Sequence, residues 1–186
     1  EVGALLIFDE VQTGFGRTGK RFAMEHSGVV PDILVLGKAL GGGLPMGAFV
    51  SSREHMHLLT HDPVLGHITT FGGHPLPCVA GLAALNVLEA EHLMDNAERM
   101  GVLFKELLIH PAIKEVRGLG LMLAVELEDQ DKVQKVVLDC LDHGVLGFWF
   151  LSCPTAFRIA PPLTINSAEV RSACHFILKA LDRSIP

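Results

Sequence analysis

Two short apolar runs, Leu5-Leu6-Ile7-Phe8 and Ile33-Leu34-Val35-Leu36, constrain this chain more than anything else in it. Four apolar residues without alternation read as a strand covered on both faces, the kind found inside a parallel sheet. The first run leads into Asp9-Glu10 and the Gly-rich stretch Thr13–Gly19. The second leads into Gly37-Lys38-Ala39-Leu40-Gly41-Gly42-Gly43-Leu44-Pro45, and Gly47 to Ser51 can add a third strand. A short amphipathic piece, Phe22 to Ser27, and the turn Pro31-Asp32 separate the two runs. Strands alternating with helical segments predict an α/β layer fold.

The second half has a different texture. Leu76 to Met94 reads as a long helix, apolar nearly all round in its first half and therefore packed on both sides. Asn96 to His110 reads as an amphipathic helix stopped by Pro111. A strand is expected within Val116–Leu127 after the turn Gly118-Leu119-Gly120, then a helix over Lys132–His143 stopped by Gly144. Short strands follow at Val145–Leu151 and Phe157–Ala160. Asn166-Ser167-Ala168-Glu169 has the form of a capping box opening a last helix that runs to about Leu181. This pattern puts a domain boundary near residues 93–97, with a smaller α+β unit after it.

Of the 186 residues, 49% are apolar and 19% charged, enough to bury a core and too little charge for disorder. The net charge of -6 comes from 15 basic and 21 acidic residues, and the basic ones form no run or stripe, which argues against nucleic acid as a partner. The longest apolar stretches, Ala4–Phe8 and Val145–Leu151, fall far short of the roughly 18 residues that span a bilayer. Cys78, Cys140, Cys153 and Cys174 show no CxxC spacing and read as free thiols of a reducing cytoplasm. Glu1-Val2-Gly3 runs at once into a strand-like segment, so the chain reads as a piece of a longer one.

Three nucleotide- or metal-like patterns are present and fail on their context. Gly14-Phe15-Gly16-Arg17-Thr18-Gly19-Lys20 fits GxxxxGK, yet Arg21 stands where a phosphate loop needs Ser or Thr, and the acidic strand Leu5–Glu10 precedes it rather than follows. Gly14, Gly16 and Gly19 match GxGxxG, but five residues separate them from their strand and no acid lies at the required distance. His55, His57, His61, His67 and His74 crowd one region without an HExxH pattern or a cysteine at finger spacing, so no metal site is expected.

What survives is an acid at one strand end and a lysine at another. In open α/β sheets ligands bind beyond the carboxyl ends of the strands, so Asp9 and Lys38 face one crevice, and the glycines flanking Lys38 allow backbone to approach a ligand closely. A lysine amine can bond an aldehyde once it is deprotonated and desolvated. A carboxylate can keep a pyridine nitrogen protonated and make the ring an electron sink. Pyridoxal phosphate (PLP) chemistry needs this pair.

The run from Asp9-Glu10-Val11-Gln12 through Gly14-Phe15-Gly16-Arg17-Thr18-Gly19, then Pro31-Asp32-Ile33, then Gly37-Lys38-Ala39-Leu40-Gly41-Gly42-Gly43-Leu44-Pro45-Met46-Gly47-Ala48, resembles the signature of class III (subgroup II) aminotransferases, the family of the ornithine, acetylornithine and 4-aminobutyrate enzymes. The likeness continues at Thr69-Thr70-Phe71-Gly72-Gly73-His74-Pro75, at Arg117-Gly118-Leu119-Gly120-Leu121-Met122 and at Arg158-Ile159-Ala160-Pro161-Pro162-Leu163, and so covers essentially the whole chain. It implies the PLP-dependent transferase fold of type I. Residues 1–95 would be the C-terminal portion of the large, mainly parallel-sheet PLP-binding domain, and 96–186 a small C-terminal α+β domain.

The resemblance also implies roles. Lys38 would hold PLP as a Schiff base and, once displaced by substrate, move a proton. Asp9 would hold the pyridine nitrogen, Val11 pack on one ring face, and Gln12 lie near the phenolic oxygen. Thr70 would bind the phosphate of the partner subunit's cofactor, which makes the expected homodimer share its active sites. Arg158 would pair bidentately with a substrate carboxylate, a geometry lysine cannot supply. The implied reaction moves an amino group from an ornithine- or acetylornithine-like donor to a 2-oxo acid such as 2-oxoglutarate. A class III decarboxylase or aminomutase, or a non-catalytic fragment, stays open. The family usually has Asn where His74 stands, and its N-terminal phosphate-binding turn and ring-stacking aromatic have no counterpart in these residues.

Overall fold

The computed structural model describes residues 3–184. The chain divides into two compact units, Glu1–Gly16 with Lys20–His92, and Arg17–Gly19 with Leu93–Pro186. The division falls at His92, and it hands three residues of the first half to the second unit, which no single boundary along the chain can express.

The first unit is built on a three-stranded sheet of β1 (Ile7–Asp9), β2 (Ile33–Leu36) and β3 (Ala48–Ser51), in that order. β1 and β2 are parallel, with Asp9 beside Val35, and β2 and β3 are antiparallel. Around them lie α1 (Met24–Ser27), one turn of 3-10 helix at Lys38–Gly41, α2 (Arg53–Leu58) and α3 (Pro75–Ala90). Local chemistry sets the helix starts. Ser52 accepts the His55 N–H at 3.2 Å to open α2. His74 Nδ1 accepts the Leu76 N–H at 3.2 Å, with Pro75 at the first helical position of α3.

Two expectations fail in this unit. The Leu5–Phe8 run is not a fully buried strand: regular pairing begins at Ile7, and Leu5, Leu6 and Ile7 are all exposed, Ile7 by 56%. Nor is α3 packed on both sides. Gly81 and Leu88 are its buried residues, whereas Leu76, Val79 and Leu82 face outward. An all-apolar segment is covered twice only if layers lie on both of its faces, and β1 is in addition an edge strand within this unit. α3 also stops earlier than expected, at Ala90, because His92 takes a left-handed conformation (φ 52°) that breaks the helix.

The second unit holds α4 (Leu93–Leu107), α5 (Gln130–Asp142), α6 (Ser167–Ser184) and an antiparallel sheet of β4 (Glu115–Leu119), β5 (Met122–Glu126), β7 (Ala156–Ile159) and β6 (Phe148–Trp149), in the order β4-β5-β7-β6. Its core follows from periodicity. Leu121, Leu123, Val125 and Leu127 alternate along β5 and are buried on one face. Val133, Val136, Val137 and Cys140 on α5 and Val170, Cys174, Ile177 and Leu181 on α6 recur at helical spacing and bury against them. α6 opens with the expected reciprocal cap: Asn166 Oδ1 accepts the Glu169 N–H at 3.0 Å, and Glu169 returns a carboxylate oxygen to the Asn166 N–H at 2.9 Å.

The expected turn at Gly118–Gly120 shifts by about a residue, since β4 runs through Gly118 to Leu119 and pairs with β5 as a hairpin. The expected strand Val145–Leu151 shrinks to the pair Phe148-Trp149, with Leu146 and Leu151 exposed on either side. Among the described residues no helix is long and apolar enough to cross a membrane.

Candidate active site

Asp9 ends β1 and Lys38 stands two residues beyond the end of β2. The two strands are parallel neighbours in register, so their carboxyl ends open at the same edge of the sheet, and both side chains are exposed there. The Asp9 carboxylate is oriented by its own turn, Oδ1 accepting the Val11 N–H at 3.0 Å. Val11 then leans on the loop that carries Lys38: a Cβ built at buried Gly37 would lie 3.3 Å from Val11 Cγ1. The loop after β1, with Asp9 and Val11, and the loop after β2, with Gly37 and Lys38, thus meet at the same edge of the sheet, Val11 packing on Gly37.

Lys38 itself has φ 46°, a left-handed conformation that an L-residue with a long side chain adopts at a cost of about 1–3 kcal/mol. Surrounding structure holds it there. The Leu40 N–H reaches the Gly37 carbonyl at 3.0 Å and the Gly42 N–H the Ala39 carbonyl at 3.1 Å. The loop then lies directly on α3, so close that a Cβ at Gly42 would sit 2.3 Å from the Ala80 carbonyl oxygen and one at Gly81 would sit 2.2 Å from that of Leu40. The backbone of the lysine loop is thus pinned from below by a helix.

The sequence reading overlooked Glu10. Its carboxylate is buried and accepts the Thr13 hydroxyl at 3.0 Å and the Ala23 and Met24 N–H groups at 2.7 Å each. It ties the loop after β1 to the start of α1 and so holds the stretch on which Asp9, Val11 and Gln12 sit. The available signal was an acid directly after a strand with Thr three residues on. Gln12 is exposed in the first turn of this loop.

Thr70 stands on a separate loop, exposed in the turn before α3. It does not cap that helix, because His74 does so through its ring nitrogen, in the way an Asn there would through its side-chain oxygen. Two other histidines of that region have local partners: His55 Nδ1 lies 3.1 Å from Ser51 Oγ, and His67 Nδ1 lies 2.9 Å from the Leu59 carbonyl oxygen. Among the described residues no group of three or more His, Cys, Asp or Glu side chains is placed to hold a metal ion.

Arg158 belongs to the second unit, on β7 between Ala124 of β5 and Phe148 of β6. It is half-buried, and its guanidinium carbon lies 5.8 Å from the centre of the Phe148 ring, within cation–π range. It lines a cavity of about 460 Å³ whose other walls, Phe104, Val137, Phe157 and Ile177 among them, are apolar.

The family model Aminotransferase class-III matches residues 1–181. The chain belongs to the class III aminotransferase family. Among solved structures, it is similar to an ornithine aminotransferase from Toxoplasma gondii, described as having partial occupancy of PLP at its active site, with 39% identity over 97% of this chain and 43% of that one and a TM-score of 0.88. An ornithine aminotransferase from Plasmodium yoelii matches at 34% identity, covering 97% and 48%, with a TM-score of 0.87. A transaminase from the marine bacterium Virgibacillus matches at 30% identity, covering 98% and 46%, with a TM-score of 0.90. This class III chain therefore spans a little under half the length of the solved relatives it matches, and its mixed α/β architecture is theirs.

Proposed function

We propose that this chain is the lysine-bearing part of a PLP-dependent transaminase. One observation carries the reading: a lysine held in a left-handed conformation just past the carboxyl end of β2, and an oriented carboxylate at the carboxyl end of the parallel neighbour β1, at the same edge of the sheet. The residues at that edge fit the cofactor. A primary amine suits its aldehyde, a carboxylate its ring nitrogen and a branched apolar side chain its ring face, and Gly37 leaves the backbone low enough for a flat group to lie over Val11.

When bound, PLP supplies the electron sink that stabilises negative charge at the substrate carbon. The chain's own residues do the rest. Lys38 would hold the cofactor through its amine and, once freed, that amine would move the proton to and from the substrate carbon that bears the transferred amino group. Asp9, steadied by the Val11 N–H, keeps the proton on the ring nitrogen. Val11 would pack on one ring face and Gln12 would lie by the phenolic oxygen. Thr70 would reach the phosphate of the cofactor in the partner subunit of a homodimer, and Arg158 would receive a substrate carboxylate as a bidentate pair. The likeness to ornithine aminotransferases supports an ornithine-like donor, and the acceptor in this reading is a 2-oxo acid such as 2-oxoglutarate.

The test is a half-reaction. The purified full-length holoenzyme, mixed with amine donor alone, is expected to convert its yellow cofactor to the amino form, with one carbonyl product released per site. Adding 2-oxo acid should restore the colour. Release of carbon dioxide, or turnover without stoichiometric bleaching, would instead mark a decarboxylase or an aminomutase and defeat the reading.

A further inference from the structure

Arg17 lies within the first half of the sequence, yet it folds as part of the second unit. Its attachment is specific. The Leu121 N–H donates to the Arg17 carbonyl at 3.0 Å, and Arg17 Nη1 donates back to the Leu121 carbonyl at 3.1 Å. The same Nη1 donates to the Pro161 carbonyl at 2.6 Å. The seat is tight. Gly120, at φ 53°, has no room for a side chain, because a Cβ there would sit 2.5 Å from the Thr18 carbonyl carbon and 2.8 Å from the Arg17 carbonyl oxygen.

Those two carbonyls flank the stretch that matters for Arg158. Leu121 enters β5, whose Leu123 and Ala124 pair with Ile159 and Arg158 of β7. Pro161 lies three residues after Arg158, where the ladder has ended and Pro161 and Pro162 have no N–H with which to pair. One guanidinium nitrogen thus joins the entry of β5 to the exit of β7. Burial, and then the charge of Arg158, hold the Arg17 guanidinium below its ordinary pKa, so the two cations also feel each other. Neighbouring cations raise the local potential for an anion.

We infer that Arg17 is a positioning residue for Arg158: by clamping the carbonyls of Leu121 and Pro161 it fixes the end of β7 and so sets where the Arg158 guanidinium meets a substrate carboxylate. This rests on the reading of Arg158 given above. Arg17 touches no substrate in this account, so its loss should weaken the handling of carboxylate-bearing substrates without slowing the chemistry itself.

The experiment is a double-variant cycle in the full-length holoenzyme with Arg17→Met, Arg158→Met and both together. Each is assayed with the 2-oxo acid, with a carboxylate-bearing donor, and with a primary alkylamine lacking a carboxylate. Arg17→Met should raise KM for the carboxylate substrates about tenfold or more, the scale of a charge-assisted hydrogen bond lost, and leave kcat and the alkylamine half-reaction within about threefold of the unmodified enzyme. In the Arg158→Met background it should add nothing. If Arg17→Met does not give soluble holoenzyme, Arg17→Lys, one bond shorter, takes its place in the same cycle. Equal losses on both substrate classes, no loss at all, or losses that add to those of Arg158→Met would overturn the inference. If Arg158→Met itself leaves carboxylate selectivity intact, the reading of Arg158 fails first and takes this inference with it. If Arg158→Met removes the selectivity and Arg17→Met does not, only the inference on Arg17 falls.

Discussion

A positive φ at Lys38 means that the residue proposed to bear the cofactor is held by its neighbours, and the glycines show how. Gly42 and Gly43 both have positive φ, 58° and 99°, so an alanine at either pays the left-handed strain. Only at Gly42 does the new methyl also meet backbone, 2.3 Å from the Ala80 carbonyl oxygen; at Gly43 nothing lies within 4 Å. Gly42→Ala is therefore expected to push the lysine loop off α3 and lower cofactor retention at least tenfold. Gly43→Ala should cost only about 1 kcal/mol of stability and keep the cofactor. Dialysis of the two holoenzyme variants, read by their visible absorbance, checks the contrast; equal retention would refute the clamp.

The buried thiols give a second residue-scale expectation. Desolvation pushes Cys140 up to about 11 and Cys174 up to about 12. At pH 8 the thiolate fraction of Cys140 is then about one in a thousand, and that of Cys174 smaller still. Both should resist a thiol-disulfide reagent in native full-length protein and react only on unfolding. Peptide mapping that found either one labelled promptly in the native state would contradict the burial described.

Elements built from local chemistry were the legible ones. α5 and α6 could be read because their buried residues recur at helical spacing, and α6 because Asn166 and Glu169 cap it without help from elsewhere. Asn166→Ala is expected to destabilise the full-length protein by about 1 kcal/mol, the usual worth of an N-cap, seen as a lower midpoint in denaturant unfolding. A change below a few tenths would mean the cap is redundant. Elements that depend on partners were not legible. The run Leu5–Phe8 shows apolar character but not the number of layers over it, so its exposure could not be foreseen. Val145–Leu151 is strand-like in composition, yet only Phe148 and Trp149 find a strand to pair with. The transfer of Arg17–Gly19 to the second unit depends on Leu121 and Pro161, more than a hundred residues away, and no local pattern announces it. The site divides the same way. Asp9 and Lys38 stand out as candidates in the sequence because each follows an apolar run, whereas the strain at Lys38 and the anchor at Glu10 are tertiary facts.

For the whole molecule the asymmetry between units is the main physical feature. The buried apolar cluster, from Ala97 to Leu181, lies entirely in the second unit. In the first, Leu5, Ile7, Val30, Phe49, Phe71, Leu76 and Leu82 are exposed to water. Apolar exposure on this scale favours association. Expressed by itself, the 186-residue chain is therefore expected to bind a hydrophobic dye, to self-associate in light scattering, and to take up PLP weakly or not at all. A monodisperse preparation with no dye binding would contradict this.

The central claim concerns one amine, and it can be put to a direct chemical trial. The full-length holoenzyme is reduced with borohydride, digested, and the peptides are mapped by mass. The account predicts a single pyridoxyl-phosphate adduct on the ε-nitrogen of Lys38, lost in Lys38→Ala. An adduct fixed stoichiometrically on another lysine, with Lys38 unmodified, would contradict it.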